Sequence, residues 1–160
     1  MQGVVGLMGA GAVLVGGVGL PGAGVGVGVG AGVPEADLAY HGVVSMAAGR
    51  VDLRMTPRNH GPDPVEDATV RLRWSAALGD SQRLPEGCAR SGERELVCRT
   101  GALPADGAGE EIRLTVRLRE VASEVTVELE TVWGGGSVDR NHANDRQRVL
   151  ALDTGDVYAF

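Results

Sequence analysis

The residue types best suited to chemistry lie in one stretch, GGGSVDRNHANDRQRV, at residues 134–149. This stretch holds one histidine and four Asp or Asn side chains: His142, Asp139, Asn141, Asn144 and Asp145. Carboxylate and amide oxygens are the ligands that calcium takes in proteins, and an imidazole beside carboxylates can also bind a transition metal. If the stretch binds a metal, we expect calcium on Asp139, Asn141 and Asp145.

The same residues are also typical of a turn between two strands. Asn and Asp side chains hydrogen-bond to the neighbouring backbone and tolerate left-handed φ angles. Glycines 134–136 precede them, and the apolar run RVLAL at 148–152 follows. We therefore favour a structural turn that leads into a last strand, with calcium binding as the alternative.

The remaining histidines suggest no catalytic site. His60 lies in the stiff loop NHGPDP at 59–64, and His41 is isolated. The chain has no G-x-S-x-G, no H-E-x-x-H and no phosphate-binding loop. The sequence therefore predicts no catalytic residue, no cofactor and no enzyme activity.

Two cysteines, Cys88 and Cys98, flank a turn-like Ser-Gly pair in CARSGERELVC. This spacing predicts a disulfide across a short hairpin, and closing a loop of about ten residues contributes roughly 2.5–3 kcal/mol. Such a bond persists only in an oxidising compartment. The alternative is two unpaired buried thiols in a cytosolic protein.

The chain after residue 37 alternates between apolar and polar residues with a period of two, which is typical of half-buried strands. The positions predicted to face the core are Val51, Leu53, Met55, Val70, Leu72, Trp74, Ile112, Leu114, Val116, Leu118, Val125, Val127, Leu129 and Trp133. Turn signals such as NHGPDP, PEG and LPADGAG separate these runs. The pattern predicts an all-β, antiparallel, Ig-like sandwich of about seven strands over residues 37–153.

Arginines occupy many outward positions of these runs. Arg71, Arg73, Arg113, Arg117 and Arg119 could form one basic stripe. We favour a solvated face that Glu128 and Glu130 neutralise, with 112–119 and 124–133 paired as a hairpin. The net charge of −6 opposes binding to nucleic acid.

The two ends of the chain differ from this domain. Residues 1–33 carry no charge, so we interpret 1–36 as a signal-peptide-like segment, with a membrane anchor or a Gly/Val-rich low-complexity segment as alternatives. Residues 154–160 end in Tyr158 and Phe160, two of only five aromatic residues. This aromatic tail either folds back over the sandwich edge or docks on a partner, which makes Tyr158 and Phe160 the candidate partner-binding residues.

Three spaced motifs resemble a known family. NHGPDPVEDATVRL at 59–72, LVCRTGALPADGAGEEIRLTVRL at 96–118 and DRNHANDRQRVLAL at 139–152 are similar, in this order, to motifs of the bacterial Ig-like repeat called domain of unknown function eleven. The chain departs from the family at Asp106, which replaces a turn glycine, and at 75–84, which lacks a P-x-G phrase. The resemblance implies an extracellular Ig-like module without catalytic residues.

These observations together predict a secreted or cell-surface module that acts in protein binding, in adhesion or as a structural element. The expected partner is another protein or a second copy, and we expect no membrane insertion of the mature domain. One alternative is a subunit of an extracellular assembly that docks through its aromatic tail. The other is a calcium-dependent carbohydrate-binding module.

Overall fold

The computed structural model describes residues 32–160. The signal-peptide, anchor and low-complexity predictions fall almost entirely on residues 1–31, which lie outside this range. Twelve β-strands and no α-helix occur within residues 32–160. None of the described residues forms a helix long and apolar enough to cross a membrane.

The strands are numbered in chain order. Their bounds are β1 (Glu35–Ala36), β2 (Leu38–Ala47), β3 (Arg50–Asn59), β4 (Thr69–Trp74), β5 (Cys88–Gly92), β6 (Glu95–Arg99), β7 (Gly107–Ala108), β8 (Ile112–Arg117), β9 (Glu124–Trp133), β10 (Val138–Asp139), β11 (Arg146–Leu152) and β12 (Val157–Ala159).

Two five-stranded antiparallel sheets form the domain. Sheet I has the order β11-β9-β4-β6-β5. Sheet II runs β12-β2-β3, and both β7 and β8 pair with the far side of β3. A short parallel ladder joins β1 to β10. The predicted all-β antiparallel sandwich is therefore confirmed.

The core lies between the two sheets, where the inward residues of each strand meet. The predicted positions on β3, β4, β8 and β9 are buried, with Trp74 and Tyr40 the largest fully buried side chains. Ile112 is half-buried against this cluster. The period-two pattern identified these faces because burying one side of a sheet requires alternate apolar residues.

Trp133 is an exception, because its side chain is 52% exposed instead of buried as predicted. The pairing of β4 with β9 shifts register between Thr69 and Val70, so Thr69 lies opposite Trp133 whereas Val70 lies opposite Thr131. A bulge of this kind inserts one residue and redirects the side chains beyond it. The alternation that predicted a buried tryptophan ends at this irregularity.

Strands β8 and β9 do not form the predicted hairpin. They lie in different sheets, because β8 pairs with β3 while β9 pairs with β4 and β11. The glutamates of β9 instead meet arginines of sheet I, in the two rows Arg146–Glu130–Arg71 and Arg148–Glu128–Arg73–Glu95. Opposite charges on alternate residues suit several pairings equally well, so charge alone did not identify the partner strand.

The packed part of the chain begins before the predicted boundary at residue 37. Ala36 is buried with Leu38, Val65, Ala68 and Leu103 in a small second cluster. The strand β1 therefore belongs to the domain, and the compact unit extends from Gly32 to Phe160.

Residues 154–160, predicted as a separate tail, contain the edge strand β12. Val157–Ala159 pair with β2, and Phe160 exchanges two backbone hydrogen bonds of 3.0 Å with Gly42. Tyr158 and Phe160 are half-buried against the core. Of the two interpretations of the tail, the structure shows the edge cover, with both rings packed within the fold.

We expect Phe160→Ala to lower the free energy of unfolding by about 1.5–2 kcal/mol, because a half-buried ring loses its contacts. The ring lies where a side chain at residue 42 would be: a Cβ on Gly42 would come within 2.7 Å of the Phe160 Cζ. Urea denaturation measures the change, with the exposed Ala159→Ser as control. Equal stability of Phe160→Ala and wild type would contradict the edge cover.

Candidate functional site

The two cysteines lie opposite each other in the β5–β6 hairpin at the edge of sheet I. Cys88 and Cys98 are joined by a disulfide, as predicted. Cys98 is fully buried in the main core, and Cys88 packs against that core from a half-buried position. The bond thus ties the edge strand β5 to the centre of the sandwich.

The calcium candidates lie near one another, but their oxygens are used by the protein itself. Asp139 accepts the Leu38 N–H at 2.7 Å and the Asn141 N–H at 2.8 Å. The Asp145 carboxylate contacts His142, and its backbone carbonyl accepts the Thr131 N–H at 3.1 Å. Across residues 32–160, no three His, Cys, Asp or Glu side chains converge to hold a metal ion.

Asp37 links this turn to the start of the domain. Its carboxylate accepts the side-chain amide of Asn144 at 2.8 Å and that of Asn141 at 3.3 Å. These residues are more than a hundred positions from Asp37, so their contacts fasten the connection between β10 and β11 to the first strands. The favoured interpretation of 139–145 as a structural turn agrees with these contacts.

His142 contacts Asp145 within the turn at 139–145. The His142 Nδ1 lies 3.1 Å from the Asp145 carboxylate, with the imidazole exposed and the carboxylate nearly buried. The hydrogen bond to Asp145, and then its negative charge, raise the pKa of His142 above its ordinary value.

This raised pKa predicts a pH dependence of stability. The folded state holds the His142 proton more tightly than the unfolded state does. The contact with Asp145 therefore contributes its full stabilisation at pH values below the pKa of His142 in the unfolded chain. This stabilisation is lost as the pH rises through the pKa of His142 in the folded protein. A proton NMR titration should give a midpoint above about 6.5 in wild type and a lower midpoint in Asp145→Asn. Identical midpoints in the two proteins would contradict the pairing.

Contacts before and after Trp133 in the chain hold its side chain in an exposed position. Before it, the buried Tyr40 hydroxyl hydrogen-bonds the Thr131 hydroxyl at 2.7 Å, and burial raises the pKa of Tyr40 to about 12. After it, Gly135 has a φ of +71°, and a Cβ there would lie 2.5 Å from the Asp67 carbonyl oxygen. The chain is thus fixed on both sides of an exposed indole.

A cleft of about 450 Å³ opens beside Trp133. Apolar surface comes from Val132, Trp133 and Val138, which are all exposed, and we call these three residues the Trp133 patch. The cleft is also lined by the charged side chains His142, Arg146, Glu130, Asp139 and Asp145. An exposed aromatic next to ionic side chains is suited to binding, since it combines apolar burial with directed polar contacts.

The sequence did not predict this patch. Its alternation placed Trp133 in the core, and the bulge that redirects the side chain has no clear sequence signature. The one available signal was the Gly134–Gly136 run directly after the tryptophan, which ends a strand and favours exposure of the last residue. The polar residues of the cleft lie mostly in the stretch 134–149, which the sequence indicated as the best candidate for chemistry.

In comparisons with known proteins, no family model, no curated protein and no solved structure matches this chain. The resemblance to the bacterial Ig-like repeat family therefore stays a prediction that rests on the three motifs.

Proposed function

We propose that this protein is an exported, non-catalytic Ig-like module that binds a protein partner at the cell surface through the Trp133 patch. The observation that carries the proposal is the 52% exposure of Trp133 in a domain whose other tryptophan, Trp74, is fully buried. A partner that covers the indole removes a large apolar surface from water, which favours binding. Interface hot spots are enriched in tryptophan for this reason.

The surroundings of the indole support a protein partner. Val132 and Val138 extend its apolar surface, and Arg146 and His142 supply charge at the border. A small apolar centre with a polar border is the usual composition of a protein interface. Arg146 pairs with Glu130 on an exposed surface, so a partner carboxylate could compete for it at little cost.

The disulfide supports the export part of the proposal. A bond between Cys88 and Cys98 is maintained in an oxidising compartment and is reduced in an ordinary cytosol. The charge-free segment 1–33 agrees with a targeting role. The two alternatives predicted from the sequence have less support, because Tyr158 and Phe160 pack within the fold and the calcium candidates have protein partners.

The proposal is tested with the fluorescently labelled full chain added to intact cells of its native host. We expect saturable binding that Trp133→Ala weakens tenfold or more, because truncating a central aromatic typically costs about 2 kcal/mol or more. Val121→Ala is the matched control, since Val121 is equally apolar and 76% exposed but lies in the connection between β8 and β9.

Protease treatment of the cells identifies the class of partner. We expect this treatment to remove the binding sites, as it would for a surface protein. Binding that persists on protease-treated cells, or that Trp133→Ala leaves unchanged, would refute a protein partner at this patch.

A further inference from the structure

The outer face of sheet II carries an excess of positive charge. Its exposed arginines are Arg50, Arg54 and Arg58 on β3 and Arg113 and Arg117 on β8. Among the described residues, two carboxylates pair with them: Asp52 with Arg50 at 2.9 Å, and Glu111 with Arg113. Five arginines against two carboxylates leave three excess positive charges, on a chain whose net charge is −6.

The register places like charges directly opposite each other. Arg50 faces Arg117, and Arg54 faces Arg113. In each pair one member has a carboxylate partner, whereas Arg117 and Arg54 form no ion pair within residues 32–160. Like charges directly opposite each other destabilise a sheet. The arginines on this face therefore make the fold less stable than neutral residues at the same positions would.

Sheet I provides the contrast. Its outer arginines Arg71, Arg73, Arg146 and Arg148 all pair with glutamates in the two charge rows described above. Four arginines against three glutamates leave one excess positive charge in these rows, whereas the outer face of sheet II has three. An abundance of arginine in the composition explains neither this difference nor the opposed pairs.

Hydroxyl side chains alternate with the arginine levels along β3. Between the levels of Arg50 and Arg54, Asp52 lies on β3 with Ser45 and Thr115 opposite it, and the Thr115 hydroxyl donates to the Asp52 carboxylate at 2.6 Å. Thr56 lies between the levels of Arg54 and Arg58. Successive arginine levels are four residues, or about 13 Å, apart. A shallow depression of about 490 Å³ lies between Arg54 and Arg58, with His41, Thr56 and Glu111 in its lining.

We propose that this arginine face, defined as the outer surface of β2, β3 and β8, binds an acidic polysaccharide that lies along β3. Guanidinium groups match carboxylates with paired hydrogen bonds, and the hydroxyl rows between them can bond to neutral sugar units. A polymer in which charged and neutral sugars alternate fits this order of side chains.

Other anionic partners fit the face less well. It has no Trp, Tyr or Phe to anchor a protein or to stack with single-stranded bases. Long-range attraction of a nucleic acid is opposed by the net negative charge. Binding to a membrane surface requires a broad basic area, whereas these arginines form a strip two strands wide.

The test measures binding of the full chain to a hyaluronan oligosaccharide long enough to span β3, in which carboxylate-bearing and neutral sugars alternate. We expect saturable binding that weakens with added salt and falls tenfold or more in Arg54→Gln/Arg58→Gln. The matched control is Arg71→Gln/Arg148→Gln on sheet I, which should bind like wild type. Thermal unfolding should show the first variant at least as stable as wild type, so lost binding is not lost folding.

Comparison probes identify the class of ligand. Neutral dextran should not bind, and polyphosphate, duplex DNA and vesicles of equal phosphatidylglycerol and phosphatidylcholine should bind more weakly than hyaluronan. Tighter binding to any of the last three, no binding to hyaluronan, or an equal loss in the sheet I control would overturn the proposal. None of these outcomes depends on the Trp133 patch.

Discussion

Asn59→Ala should lower the free energy of unfolding by about 3–4 kcal/mol, the largest effect we expect from a single polar substitution. Asn59 is fully buried, and its Oδ1 accepts the backbone N–H groups of Asp37 at 3.2 Å and Gly61 at 2.9 Å. Its amide group donates to the Asp63 carbonyl at 2.7 Å. The alanine variant leaves these three backbone groups without their partner, and each lost bond costs about 1 kcal/mol or more.

The measurement is chemical denaturation at equilibrium, with Arg58→Ala as the neighbouring control. Arg58 precedes Asn59 on β3 but is exposed and without an ion pair in the described chain, so its removal should change stability by less than about 0.5 kcal/mol. Equal stability of the two variants would show that the loop at 60–63 is not held by Asn59. Weakening this loop should also loosen β1, since the Glu35 N–H donates to the Asp63 carboxylate and the Glu35 carbonyl accepts the Asp63 N–H.

Removing the disulfide should lower the free energy of unfolding by about 3 kcal/mol, the second-largest effect. The bond closes a separation of ten residues, for which restriction of the unfolded chain contributes roughly 2.5–3 kcal/mol. Cys88→Ala/Cys98→Ala also removes buried sulfur from the core at Cys98.

Reductant provides the internal control for this prediction. Wild type in excess dithiothreitol should approach the stability of the double alanine variant, whereas dithiothreitol should not change the variant itself. A reduced wild type as stable as the oxidised protein would show that the bond is not needed for the fold. It would also remove the main structural support for an oxidising compartment.

The sequence predicted the buried faces well because alternation is a local property. Val70, Leu72 and Trp74 face the core as expected, since a one-residue slip would move all three to solvent. The cysteine pair was predictable for the same reason, because a short separation around a turn limits the possible geometry. Both features depend on residues that lie within one hairpin or one strand.

Features that depend on which strands become neighbours were not predictable in this way. The Glu128 and Glu130 charges suit β8 as well as β4 and β11, and the choice of sheet follows from packing across the whole domain. The difference in excess positive charge between the outer faces of the two sheets follows from that choice. Trp133 left its predicted position through a bulge, which depends on how the partner strand pairs.

The most direct test of the whole account is the intact mass of the protein recovered from its native host, measured for each cell fraction. We expect a protein outside the cytoplasm, shortened by about thirty residues as in the removal of a targeting segment. Its mass should be lower by two hydrogens than that of the reduced form, because Cys88 and Cys98 are joined. A full-length, reduced protein found in the cytosol would contradict both the export and the surface-binding function.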